Sequence, residues 1–120
     1  MDKENNLVVK FEERLNLEKL EKLINMGLYP IVINGCNGLE WLIDNKHIDI
    51  ARMVEPKGIY TIAHDLSEML RDAVSKDEVE RAEYLLNNGV KPTVTAAKIA
   101  LDNGNYKLAK LMIQILEKDE

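Results

Sequence analysis

The sequence predicts an all-α fold, a short solenoid of stacked antiparallel helix pairs, and three observations lead there. Gly27, Gly58 and Gly89 stand 31 residues apart, and each closes an amphipathic segment of the same kind: LEKLEKLINMG (17–27), IDIARMVEPKG (48–58) and VERAEYLLNNG (79–89). A recurring period of about 20 to 50 residues marks a stacked repeat. Ala51, Ala82 and Ala109 then fall at one register position, where Leu20 stands in the first segment, and Leu23, Val54, Leu85 and Met112 follow three residues on. That spacing puts both sets on one helix face, with the small residue letting paired helices approach closely. In the preceding segments Val8, Leu39, Leu70 and Ala97 share a register of their own.

Taken in order, the first unit opens with a helix over Asn6–Arg14 (NLVVKFEER), although its LVVKF is β-branched enough for a strand. Asn16 caps LEKLEKLINM, and Gly27 ends it where the chain needs a residue at positive φ. The second unit pairs NGLEWLI (37–43) with IDIARMVEPK across the turn DNKH; Pro56 is expected to shorten its second helix, and Glu55 stands where the third unit has Leu86. The third pairs EMLRDAV (68–74) with VERAEYLLNN across SKDE. The fourth starts at Thr95, offset by 27 residues rather than 31, so the link 90–94 has no room for a hairpin. These units, about 6–36, 37–67, 68–94 and 95–117, make one domain over 1–120. The links 28–36 and 59–67 suit extended chain or hairpins. Their apolar text, LYPIVI (28–33) and GIYTIAH (58–64), serves either to cover the helices beneath or as a sticky rim.

A chain of 120 residues can bury roughly two-thirds of its unfolded surface. The apolar and charged fractions, 46% and 31%, are those of a soluble globular protein. The net charge of −5, with acids and bases interleaved, disfavours nucleic acid. Cys36 is the one cysteine, which excludes a disulfide framework. No signal peptide or membrane-spanning run is visible, so the expectation is an intracellular, cytoplasmic protein.

The residues resemble the ankyrin repeat. AEYLLNNG (82–89) is the closest local match; INGCNGLEWLIDNKHIDIARMV (33–54) follows the family frame through Gly35, Leu39 and His47, and TAAKIALDNGNYKLAKLM (95–112) through Thr95, Ala100 and Gly104. The resemblance spans nearly the whole chain, but no unit carries an intact T-P-L-H, which reads here as NLVV, NGLE, EMLR and TAAK. A generic α–α repeat is the alternative fold. The family resemblance implies a protein partner held by a concave face and loop tips. Carried over by position, the tips are Ile33, Asn34 and Cys36, then His64, Asp65 and Ser67; the ends of the first helices add Asp44 and Asn45, Ser75 and Lys76, and Asp102 and Asn103.

Enzyme chemistry finds little support. There is no phosphate-cradling G-x-x-x-x-G-K-[ST], no G-x-S-x-G and no H-E-x-x-H, and NGCNG (34–38) reads as an inter-repeat loop. Cys36, His47 and His64 with Asp65 could form a nucleophile–base set only if separate loops converged, and no closely spaced ligand pair suggests a metal. Neither a cofactor nor a metal is expected. Trp41 reads as core or inter-repeat packing before it reads as a contact anchor.

The functional expectation is therefore a small non-enzymatic module that recognises or blocks a partner protein. The Lys, Asn and Ile usage suits an AT-rich genome, which makes a viral or phage inhibitor of a host factor, acting in the host cytoplasm, one form of it. The alternative is a self-assembling structural protein. Leu108, Leu111, Met112, Ile113, Ile115 and Leu116 are more than one buried helix face requires, so 106–117 could carry a homodimer contact.

Overall fold

The computed structural model describes residues 6–10, 17–54 and 65–118. The chain divides into two compact units, Met1–His64 and Asp65–Glu120. The described residues are mostly helical, with one small sheet: β1 (Asn6–Val9), α1 (Leu17–Asn25), β2 (Tyr29–Ile33), β3 (Cys36–Asn37), α2 (Gly38–Asp44) and α3 (Ile48–Val54) in the first unit, and α4 (Leu66–Ser75), α5 (Val79–Asn87), α6 (Val94–Asp102) and α7 (Tyr106–Lys118) in the second. No described helix is long and apolar enough to cross a membrane.

The mostly helical content agrees with the expectation, and the first strand is the departure from it. Asn6–Val9 is a strand rather than the start of a helix, and β1 pairs parallel with β2 (Asn6↔Tyr29, Leu7↔Pro30, Val8↔Val32, Val9↔Ile33). Leu-Val-Val suits a pleated, half-buried surface, and Ile-Val-Ile of β2 offers it a partner. The pairing skips Ile31, directly after Pro30. Proline has no N–H to give the ladder, and strands accommodate it at such irregularities. Val8 consequently leaves the buried register assigned to it and is 74% exposed, whereas Leu39, Leu70 and Ala97 are buried.

The link 28–36 is a hairpin: β2 pairs antiparallel with β3 (Val32↔Asn37, Ile33↔Cys36). Its two-residue loop is Asn34 (φ 51°) and Gly35 (φ 78°), and two successive positive φ values are what a type I′ turn needs. Pro30 and Ile33 are buried, and β2 packs on α1 and α2. The apolar text of this link thus covers helices, the first of the two roles expected for it. Gly38 is buried where β3 runs into α2, and a Cβ there would collide with the Pro30 carbonyl oxygen.

In the second unit α4 packs on α5 and α6, α6 on α7, and α5 touches α7. No strand occurs in 65–118, so the link 90–94 carries no hairpin. Asp65 caps α4 by accepting from Glu68 N at 2.8 Å, and Thr93 caps α6 by accepting from Ala96 N at 3.1 Å. The α4 helix therefore begins two residues before the expected start. Leu20, Ala51, Ala82 and Ala109 are all buried, as are Val54, Leu85 and Met112; Leu23 is half-buried.

One backbone turn closes three helix pairs. In α2–α3, Asn45 N donates to Trp41 O, Lys46 N to Ile43 O and His47 N to Leu42 O; in α4–α5, Lys76, Asp77 and Glu78 donate to Asp72, Val74 and Ala73; in α6–α7, Asn103, Gly104 and Asn105 donate to Ile99, Leu101 and Ala100. The left-handed residue is Lys46 (φ 67°), Asp77 (φ 61°) or Gly104 (φ 77°). These paired bonds to the last carbonyls form a Schellman-type stop. Their spacing, 31 and then 27 residues, is that of the sequence repeat. The second helices α1 and α5 end alike, with Leu28 N on Leu23 O after Gly27 (φ 93°) and Val90 N on Leu85 O after Gly89 (φ 91°). Asn16, Glu55, Pro56, Gly58 and the link 59–64 lie outside the described residues.

Candidate functional site

In the second unit the two helix–helix turns lie side by side. Asn103 Nδ2 donates to Val74 O at 3.3 Å, and Asn105 Nδ2 to Asp77 Oδ1 at 3.2 Å. Four expected contact residues, Ser75, Lys76, Asp102 and Asn103, are thereby gathered on one exposed edge, and Asp77 and Gly104 join them. Asp77 was not among the expected residues; its register with Gly104 and Lys46 was the signal available. Asn105, half-buried, also receives Leu108 N on its Oδ1 at 3.4 Å and so caps α7.

This edge is not uniformly available for recognition. The Asn103 amide is engaged with the Val74 carbonyl. Asp102 Oδ2 accepts from Lys98 Nζ at 2.8 Å. That hydrogen bond first, and the carboxylate charge second, raise the Lys98 pKa above its ordinary value. Asp65 and Ser67 are exposed at the other end of α4, about 15 Å away at the rise of a helix. They do not belong to the same cluster, and Asp65 is occupied as a cap.

In the first unit Asp44 and Asn45 are exposed at the end of α2, where Asn45 Nδ2 donates to Trp41 O at 2.9 Å. Asn34 and Cys36 are exposed at the hairpin tip. Ile33 is fully buried and cannot meet a partner there. The reason is the strand alternation: Ile33 pairs with Val9, also buried, and both point into the unit. His64 lies outside the described residues.

Trp41 is half-buried, with its ring centroid 5.9 Å from that of His47. The His47 carbonyl accepts from Ile50 N and Ala51 N at the start of α3. Cys36 is an exposed free thiol in β3. Among the described residues no group of three His, Cys, Asp or Glu could hold a metal ion.

Two open grooves accompany these surfaces. One, of about 430 Å³, runs between α5 and α7 and is lined by Glu83, Asn87, Lys107, Lys110, Leu111 and Gln114. The other, of about 290 Å³, is bounded by Ile24, Asn25, Gly27, Tyr29 and Met53. Neither was foreseen, because each depends on how two helices are set against one another. Comparison of the chain with protein-family models, with curated proteins and with solved structures found no match.

Proposed function

We propose that the chain is a non-enzymatic protein-binding module built from ankyrin-like helix pairs, which holds a partner protein on its exposed helix–helix turns. In this reading α2–α3, α4–α5 and α6–α7 are successive repeats of one array, and the partner is recognised by side chains set on a common turn. The supporting observation is the recurrence of that turn at Lys46, Asp77 and Gly104, each fixed by the same three backbone hydrogen bonds and each flanked by exposed polar residues. A backbone-fixed turn is pre-organised, so ordering it on binding costs little. The residues that flank it (Asp44 and Asn45, Ser75 and Lys76, Asp102 and Asn103) differ from repeat to repeat, and specificity would reside in them.

The test is capture of a partner from a lysate of the source cells by the tagged full chain, alongside a variant with Asp44, Asn45, Ser75 and Lys76 changed to Ala. A protein held by the wild type and lost by the variant, with both giving the same circular dichroism, supports the module. A protein held equally by both removes the turns from recognition.

A further inference from the structure

The last helix pair keeps an apolar edge that the pair before it covers. Val74 and Leu86 are 1% and 4% exposed, and Val79 is half-buried. In the first unit Ile43 and Ile48 hold the registers of Val74 and Val79 and are buried too. The equivalent residues of the last pair are Leu101, Tyr106 and Ile113, and they are 43%, 69% and 37% exposed. The core registers that stay apolar in the last pair are otherwise buried, at Ala96, Ala97, Ala100, Ala109 and Met112, whereas the registers of Leu66 and Val90 carry the exposed polar residues Thr93 and Glu117. The apolar residues exposed at Leu101, Tyr106 and Ile113 thus lie on the side on which the preceding pair receives α6 and α7.

On α6 the edge continues to Val94, 74% exposed and two helical turns from Leu101; on α7 Tyr106 and Ile113 are likewise two turns apart. Here the polar residues interleaved with the apolar ones are Lys98 and Asp102 on α6, and Lys110 and Glu117 on α7, all exposed.

We propose that this edge of α6–α7 is a homodimer interface, covered by the same edge of a second copy of the chain. The charge on it selects that occupant. Two lysines and two carboxylates leave the edge neutral on a chain of net charge −5, so a second copy meets it without repulsion. A strongly acidic or basic partner would find no complementary field. An edge repeating apolar residue, lysine, apolar residue, acid on both helices is also self-complementary, as a two-fold interface requires. The inference rests on the same repeat register as the proposed function and shares Asp102 with it, but its apolar residues, Val94, Leu101, Tyr106 and Ile113, belong to neither turn surface.

Sedimentation equilibrium of the full chain from micromolar to near-millimolar concentration tests it, with Leu101→Glu/Ile113→Glu as the disrupting variant and Met26→Glu, at an apolar residue 74% exposed in the first unit, as the control. The wild type and the control approach twice 13.7 kDa. The double variant, which removes no buried side chain, keeps its circular dichroism and shifts the dimerisation midpoint upward by more than about tenfold. A wild type that is monomeric throughout, or a dimer that the double variant leaves intact, overturns the proposal. The Asp44, Asn45, Ser75 and Lys76 variant stays dimeric under the proposal, so loss of partner capture with the dimer retained counts against the proposed function alone.

Discussion

Gly38→Ala is expected to destabilise the first unit by about 2 kcal/mol. Gly38 is buried at the junction of β3 and α2, and an added Cβ would collide with the Pro30 carbonyl oxygen while lying 3.0 Å from Pro30 C and 3.2 Å from Ile31 C. All three are backbone atoms of β2, which is paired with β1 on one side and β3 on the other. They cannot rotate away as a side-chain end would, so the strand or the helix start has to shift. Overpacking of this sort costs roughly 1–3 kcal/mol, and the rigid neighbours place it near the top of that range. Against it, Ala relieves the backbone entropy cost of Gly in a helix, at most about 1 kcal/mol. Urea unfolding followed by the fluorescence of Trp41, the one tryptophan and part of α2, reports on this unit. With a slope of about 2 kcal/mol per molar, the midpoint falls by about 1 M. Gly35→Ala is the comparison, because it meets open space but keeps φ +78°, so only conformational strain of roughly 1 kcal/mol applies. If Gly38→Ala unfolds at or above the wild-type midpoint, the close approach of β2 to the start of α2 is refuted.

Asp65→Ala removes the acceptor for Glu68 N and should lower stability by about 1 kcal/mol, read as a lower Tm, while Asp65→Asn should retain most of it. Ala82→Leu places a larger side chain at a fully buried register and should cost roughly 1–3 kcal/mol by urea titration. Asn103→Leu, which loses the bond to Val74 O, should cost about 1 kcal/mol; a larger loss there than at Ala82 would undermine the helix register. Asp102→Ala should bring the Lys98 titration back down, followed by NMR of its side chain. Because the folded pKa of Lys98 is raised, its contribution is complete below the unfolded pKa and fades as pH rises through the folded one; at neutral pH this exposed pair should leave Tm almost unchanged.

The helix pairs α2–α3, α4–α5 and α6–α7 were legible because helix register and turn geometry are both local properties. A left-handed stop at Lys46, Asp77 or Gly104 and an alanine on the facing helix are written within one helix pair. The strand β1 was not. Leu7-Val8-Val9 serves either state, and the choice is made by β2, more than twenty residues away, where Tyr29, Pro30, Val32 and Ile33 supply the pairing. The same pairing buried Ile33, which the repeat frame had set at a tip. Ser75, Lys76, Asp102 and Asn103, expected at the ends of separate helices, stand on adjoining turns of the second unit. Asp77 and Asn105 were missed because their role arises from a bond spanning 28 residues.

The hydrogen bonds divide the surface candidates into two kinds. The helix–helix turns are closed by backbone donors and acceptors, so the fold does not depend on the side chain carried at Ser75 or Lys76 for that closure. Changing these residues alters what the surface presents while leaving the turn itself intact. Asp65, Asn103 and Asn105 are different, since their side chains satisfy backbone groups or bridge adjacent turns. A substitution there changes stability as well as surface, and loss of binding in such a variant would not identify a contact. Recognition is therefore best probed at Ser75 and Lys76, with Asp65 and Asn103 as measures of what structural loss alone does to binding. A partner released by Ser75→Ala/Lys76→Ala but retained by Asp65→Ala would separate the surface from the scaffold that holds it.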